Sequence, residues 1–406
     1  SDAITLDGGT LQVTSGFELD PNRGVVLGAS GGTIEVVTGQ TLTYAGQFSG
    51  VGDLVKSGAG EMALSAAQTY TGSTVVQTGT LTVGDATALG AATAGTTVAD
   101  GATLNLADVT VGAEPIVLDG GTLAAASGTS ALSGDINLTA DATIDVTGTG
   151  AQLTLTGVLS GDHQLSKTGG GELVLGNANN NYSGGTHISA GTVSISADGN
   201  LGAAPDIVEP DHLTLNGGSL AVSTGFALDA SRGVTLGANG GEIRVASGQT
   251  LTYEGTVAGA SLTKGGAGLL SLSGANTFNG GVNLKAGTLR LGSSGAIGTA
   301  GAISFGGGTL QFTADNHTDY SSRFDTAASQ AFKIDTNGQD VRFASTVASA
   351  GGTLAKSGEG RLTLESATYD GATAIDAGSL VIESDIATLS SSSYSGAGTL
   401  VIEPSS

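Results

Sequence analysis

The strongest constraint on this chain is that it repeats itself. ITLDGGTLQVTSGFELDPNRGVVLGASGGTIEVVTGQTLTYAG, from Ile4, and LTLNGGSLAVSTGFALDASRGVTLGANGGEIRVASGQTLTYEG, from Leu213, align without a gap. A second pattern occurs four times, opening at Leu54, Leu165, Leu262 and Leu354. Each copy reads L-x-K-x-G-x-G, a short apolar run, an aromatic residue, then G-[TS]-[LV]. Lys56, Lys167, Lys264 and Lys356 open the frames, and Tyr70, Tyr182, Phe278 and Tyr369 hold the aromatic place. Together the patterns divide the chain into modules at approximately 4–115, 116–212, 213–302 and 303–384, with 385–406 as a partial terminal repeat. A unit that recurs at this scale buries little by itself and gains its core by stacking on its neighbours.

Within the modules the period is two. Thr10–Val13, Thr33–Val36, Thr103–Leu106 and Thr143–Val146 alternate apolar and polar residues, which places Leu, Ile and Val on one face of a strand and Gln, Glu, Asn and Asp on the other. Gly, Asp, Asn and Ser bound each run and allow tight turns. No 3.6-residue pattern is sustained, so helices should be almost absent. The prediction is an all-β chain: a right-handed parallel β-helix, one elongated solenoid domain. With ~20 residues per coil and ~4.8 Å between strands it would form a rod of roughly 95 Å. An array of β-sandwiches is the rival fold, but its strands should be longer and more evenly spaced.

Composition narrows the function. Glycine supplies 70 of 406 residues, and 36 acids face 13 bases for a net charge of −23. That charge repels phosphate, which argues against nucleic acid and anionic lipid as partners. With no Cys, disulfide scaffolds, thiol enzymes and Cys-based zinc sites are excluded. No run approaches the ~18 apolar residues of a membrane helix. The start, Ser-Asp-Ala-Ile, has no leader character, and neither end carries a solenoid cap, so both ends read as excision points in a longer precursor.

The frame L-x-K-x-G-x-G-x-L-x-L-x-G-A-N-x-[YF]-x-G-x-x-x-[LIV]-x-x-G-T-L resembles the passenger-associated transport repeat of bacterial autotransporters. Leu262 to Leu291 is the cleanest copy, with Lys264, Gly266, Gly268, Gly274, Asn276, Phe278, Gly280, Gly287 and Leu289 in register. The segments Phe17–Gly32 and Phe226–Gly241 also look like sequence that flanks such repeats. The resemblance implies a secreted β-helical passenger at the cell surface, outside the outer membrane. It also implies a C-terminal β-barrel translocator in the precursor, and repeats that assist folding and export.

Candidate chemistry is sparse. One G-x-S-x-G string, Gly28–Gly32, has Ser30 at its centre, but its counterpart in the second copy is Asn239, so Ser30 reads as a turn residue. His163, His187, His212 and His317 lack zinc spacing and are expected at surface or turn positions. The expectation is no cofactor and no metal, although stacked outward acids would allow weak calcium binding. Asp20 with Arg23, and Asp229 with Arg232, read as a charge-assisted corner, and the four frame lysines as exposed turn residues. The departure from the repeats is Thr313–Gln330, where Asp315, Asn316, His317, Asp319, Tyr320, Arg323 and Phe324 form a candidate recognition loop. The alternative there is a bulky coil packing its own insertion. Asn177–Asn181 is a second polar loop.

Three functions fit these facts unequally. The favoured one is a non-enzymatic adhesin that binds a host or neighbouring-cell surface ligand, or itself, in cell aggregation and biofilm. The alternative is a structural stalk presenting a functional domain outside this sequence. A β-helical polysaccharide-degrading enzyme ranks last, because repeated substitution across the modules leaves no cluster of acids with a base, and there is no Trp for sugar stacking.

Overall fold

The computed structural model describes residues 3–383 and 391–403. The module boundary expected at 384/385 and the first and last residues of the partial terminal repeat lie outside them. The described residues form strands of two to seven residues joined by turns. The helical content among them is two short 3₁₀ segments, Asp198–Leu201 and Ser321–Arg323. Packing separates two units, Ser1–Ala204 and Pro205–Ser406.

In the first unit every ladder is parallel and successive partners lie one coil apart. Gly9 pairs with Gly32, Leu54 with Thr74, Thr74 with Thr96, and Ile116 with Ile136. These are steps of 23, 20, 22 and 20 residues, the signature of a parallel β-solenoid. Side chains one coil apart therefore stack in columns. Leu42, Met62, Leu81, Leu104, Leu123 and Ile144 form one such column, each in register with the next and nearly inaccessible. Each contributes about 1.5–3 kcal/mol of apolar burial, which offsets the ordering of strands too short to persist alone. The second unit is built the same way. Leu251, Leu270, Leu289, Leu310 and Ile334 run through strands Thr250–Tyr253, Leu269–Leu272, Thr288–Leu291, Thr309–Gln311 and Ala331–Asp335.

Glycine is required where the chain turns beside a neighbouring coil. Gly79, Gly191, Gly287 and Gly378, the glycines of G-[TS]-[LV], all have positive φ, between 64° and 70°. An L side chain would be strained there. At Gly287 a Cβ would also come within 2.4 Å of the Gly266 carbonyl oxygen and 2.7 Å of Lys264 Nζ.

The second unit opens with a longer strand, Glu209–Leu215, whose register shifts between Glu209 and Leu213. His212 is buried here, 4% exposed, and not at the surface or turn position expected of it. Arg232, one register partner away from Glu209, is wholly buried, whereas its counterpart Arg23 is exposed. The two copies therefore use one sequence motif in different surroundings.

Candidate functional site

The transport-repeat frame is where the structure departs most from expectation. The four frame lysines are not exposed turn residues; each is completely buried. The reason lies in the alternation itself: in L-x-K the lysine falls on the same face as the leucine, so it points inward. Lys56 stands between Ile34 and Val76 in an apolar column, Lys167 between Ile144 and Ile188, Lys264 between Ile243 and Leu284, and Lys356 between Ile334 and Ile375.

What makes the burial tolerable is a cage of carbonyl oxygens. Lys56 Nζ donates to Ser57 O, Gly58 O and Thr78 O at 2.9, 2.8 and 3.1 Å. Lys264 Nζ donates to Gly265 O, Gly266 O and Ala286 O at 2.6, 2.9 and 3.1 Å. Lys167 and Lys356 repeat the arrangement, reaching Ala190 O and Ala377 O respectively. An ammonium has three N–H donors, and each is used once. Two go to the lysine's own turn and one to the turn of the next coil, so the side chain staples successive coils. Burial pushes Lys56, Lys167 and Lys264 down to about 8 and lowers Lys356 as well; Glu61, Asp145, Glu242, and Asp335 with Glu359, act in the opposite sense.

Two further stations complete the frame. The aromatic place is buried in all four copies. Tyr70, Tyr182 and Tyr369 hydrogen-bond through their hydroxyls to Thr74, Thr186 and Thr373, four residues on, at 2.5, 2.7 and 2.8 Å. In the third copy the aromatic is Phe278 and the residue four on is Val282, so hydroxyl and partner are lost together. Two residues before the aromatic, Asn180 accepts from Leu159 N–H on the preceding coil and donates to Asn200 O on the following one. Asn276 does the same between Val257 N–H and Ala296 O, and Gln68 accepts from Phe48 N–H. Asn180, one residue of the polar loop Asn177–Asn181, is thus a buried staple between three coils.

Burial divides the candidate recognition loop. Asn316, Tyr320 and Phe324 are buried, at 1%, 4% and 7% exposed. Phe324 meets Phe305, Phe332 and Phe343 with ring centroids 5.0, 5.9 and 5.0 Å away. Asn316 donates to Ser293 O and Tyr320 to Ser294 O. The Arg323 guanidinium donates to Gly301, Gly298, Ile297 and Ala300 carbonyls and lies 5.8 Å from the Tyr320 ring centroid. Asp315, His317 and Asp319 face solvent, and Asp319 accepts from Ser321 N–H and Ala344 N–H. An open cleft of about 430 Å³ lies beside Arg323, Phe324 and Asp325.

The remaining sequence candidates are turn residues. Ser30 N–H donates to Asp7 Oδ1, and Asn239 N–H to Asn216 Oδ1 at the same station. Asp20 and Asp229 form corners: their carboxylates accept from Asn22 and Ser231, and these hydrogen bonds, with a smaller contribution from the charges of Arg23 and Arg232, lower both below the usual carboxylate range. His163 is half-exposed between Asp141 and Asp162, at 3.6 and 3.5 Å. Among the described residues no group of three His, Asp or Glu is placed to hold a metal ion, and no helix is long and apolar enough to cross a membrane.

The outward faces carry a different pattern. Thr80, Thr103, Thr122 and Thr143 stand in register on four successive coils of the first unit, half-exposed. The adjacent row is engaged within the chain: Thr82 donates to Glu61, and Asn105 to Thr82.

A family model described as Passenger-associated-transport-repeat matches residues 54–83, 165–195, 262–291 and 350–382. The chain is 34% identical over 293 residues, 69% of its length, to a protein named Adhesin BmaC autotransporter from Brucella suis biovar 1 (strain 1330), and spans 8% of that protein's length. No solved structure matches the chain.

Proposed function

We propose, for a chain that belongs to the autotransporter passengers built on passenger-associated transport repeats, that it is a non-enzymatic adhesive surface. As a passenger it is secreted and held at the bacterial cell surface, and the family implies a C-terminal translocator in the precursor. The buried lysines, asparagines and tyrosines are consumed in holding coil on coil, so contact with other molecules falls to the outward rows.

The observation that carries the adhesive reading is the threonine row of the first unit. Its hydroxyls are spaced by one strand separation, about 4.8 Å, and each offers a donor and an acceptor. A row of this kind fits a second copy of the chain or a polar ligand on a neighbouring cell. Charge sets the conditions. Residues 1–204 carry three Lys/Arg against 18 Asp/Glu, a net charge of −15. Two of those three bases, Lys56 and Lys167, are buried, which leaves Arg23 as the exposed one. Self-association between such surfaces therefore requires screening by salt or bridging by a cation such as calcium.

Sedimentation velocity across concentration, at low and high salt and with calcium or chelator, tests the self-associating form. Reversible growth in size that strengthens with salt or calcium supports it. A monomer under all conditions removes self-association and leaves binding to another cell's ligand, which immobilised protein on beads presented to host cells would register. The stalk reading is favoured by one fact, that the chain spans 8% of the length of its relative. Beads that carry the chain and bind no cell or copy of themselves would select it.

A further inference from the structure

The exposed apolar residues of this chain are not equivalent. Among the described residues Phe17, Val51, Ile207, Val208, Tyr394 and Ile402 are the large exposed ones, and Ile207 is the most exposed of them at 77%. Phe17, Tyr394 and Ile402 lie within strands Phe17–Leu19, Tyr394–Ser395 and Thr399–Glu403. Val51, 68% exposed, has its N–H bonded to Leu27 O. Ile207 and Val208 differ: from Ala204 to Val208 no backbone group makes a hydrogen bond, while Ala203 N–H and Glu209 N–H on either side are both bonded. Pro205 and Pro210 bracket the stretch and have no N–H to give. Pro205–Val208 opens the second unit in sequence and precedes the strand Glu209–Leu215.

An endopeptidase needs this combination. It binds its substrate as an added strand, so it takes backbone whose N–H and C=O groups are unpaired, and it reads a side chain that can leave the surface without disrupting a core. We propose that Ala204–Val208 is a proteolytic processing site for a serine endopeptidase of elastase type, whose specificity pocket takes branched apolar side chains. The scissile bond is Ile207–Val208. Hydrolysis breaks that C–N bond; the hydroxyl of water goes to the Ile207 carbonyl carbon and its hydrogen to the Val208 nitrogen, leaving a new carboxyl and a new amino terminus. The next bond is protected, because Glu209 N–H is held by Ser231 O at 3.0 Å. Asp206, Glu209 and Asp211 flank the site with negative charge, and the frame lysines are buried, so proteases that need Lys or Arg are not suited to it.

The test is a time course of the folded, full 406-residue chain with neutrophil elastase, read by intact mass and N-terminal sequencing. The expected result is a first cut that yields fragments of 207 and 199 residues, with Val208 as the new N-terminus, at least tenfold faster than any other cut. The double substitution Ile207→Glu with Val208→Glu, at positions 77% and 59% exposed, should slow that cut at least tenfold while leaving the thermal unfolding midpoint unchanged. A first cut after Val51 or elsewhere, or an unchanged rate in the double variant, overturns the proposal. Trypsin serves as the specificity control: trypsin cutting within 204–208 is impossible for want of Lys or Arg, so nicking by trypsin as fast as by elastase would show a generally loose fold and also overturn it.

Discussion

Two stretches of the second unit, the transport repeat at 262–291 and the run at 303–347 that follows it, solve one problem by different chemistry. Both must close a coil whose turn carbonyls point at a neighbouring coil. In the repeat a lysine does so: Lys264 Nζ gathers Gly265, Gly266 and Ala286 carbonyls. In the following run Arg323 gathers four, from Ile297, Gly298, Ala300 and Gly301. Among the described residues neither cation has a carboxylate within ion-pair distance, and each is stabilised by convergent carbonyl dipoles. The core differs more. The repeat is filled by Leu and Val columns with a single aromatic, Phe278; the following run is filled by Phe305, Phe324, Phe332 and Phe343, packed edge to face apart from the stacked Phe324–Phe332 pair. A solenoid coil is thus a geometric requirement that small aliphatic residues or large rings can both meet, provided the turn carbonyls are satisfied.

The largest effect should come from breaking the ring cluster. Phe324→Ala removes the ring that touches three others and should cost about 3–5 kcal/mol. Because each coil contacts mainly its neighbours, hydrogen-exchange protection should fall across 303–347 and hold at 262–291. Equal loss in both stretches would remove the distinction between them.

Next is the cation. Lys264→Met keeps the volume but leaves three carbonyls without donors, and should cost about 2–4 kcal/mol, measured by denaturant unfolding. Here protection should fall at 262–291 and hold at 303–347, the reverse of the first result. A neutral or stabilising substitution would mean that the carbonyls find other partners and that the lysine is not a staple.

The same lysines give the two stretches different responses to pH. A base pushed down to about 8 in the folded chain releases its proton before the unfolded chain does, near 10.4. Between those values the unfolded state holds more protons, so stability rises with pH. Above about 10 the sign reverses: burial raises Tyr70, Tyr253 and Tyr369, the unfolded tyrosines ionise first, and stability falls. The unfolding midpoint should therefore rise from about pH 8 and pass through a maximum near pH 10. Lys264→Met should flatten the rising limb, while Phe324→Ala should lower the whole curve without changing its shape. A rising limb of unchanged slope in Lys264→Met would assign it to other groups.

Much of this was legible in the chain itself. Alternation and repeat spacing identify the parallel solenoid and the aromatic stations. The lysine role was legible too, since L-x-K sets Lys on the leucine face, but charge was read as exposure. What no local pattern carries is which groups meet across a coil. Asn180 lies 21 residues from Leu159 and 20 from Asn200, so its staple exists only once register is known. Arg323 likewise meets carbonyls 22 to 26 residues earlier. At 313–330 the residue types allow either an external loop or a coil packing its own insertion, and that Asn316, Tyr320 and Phe324 turn inward is set by partners on other coils.

The smallest effect tests whether the repeat's own variation is a controlled experiment. Tyr182→Phe and Thr186→Val each remove the buried hydroxyl–hydroxyl bond between the two residues, from opposite ends. Each should cost about 1 kcal/mol, the net worth of one buried hydrogen bond. The double substitution should cost less than the sum, because it reproduces the Phe278 and Val282 pair that the third copy already contains. A coupling of about 1 kcal/mol in this cycle would show that hydroxyl and partner are exchangeable as a unit. The reverse exchange, Phe278→Tyr with Val282→Thr, should then be tolerated in the third copy, while Phe278→Tyr alone should be destabilising. Additive costs in both copies would mean that the two positions respond to their separate surroundings, and that the repeats are alike in backbone but not in the logic of their cores.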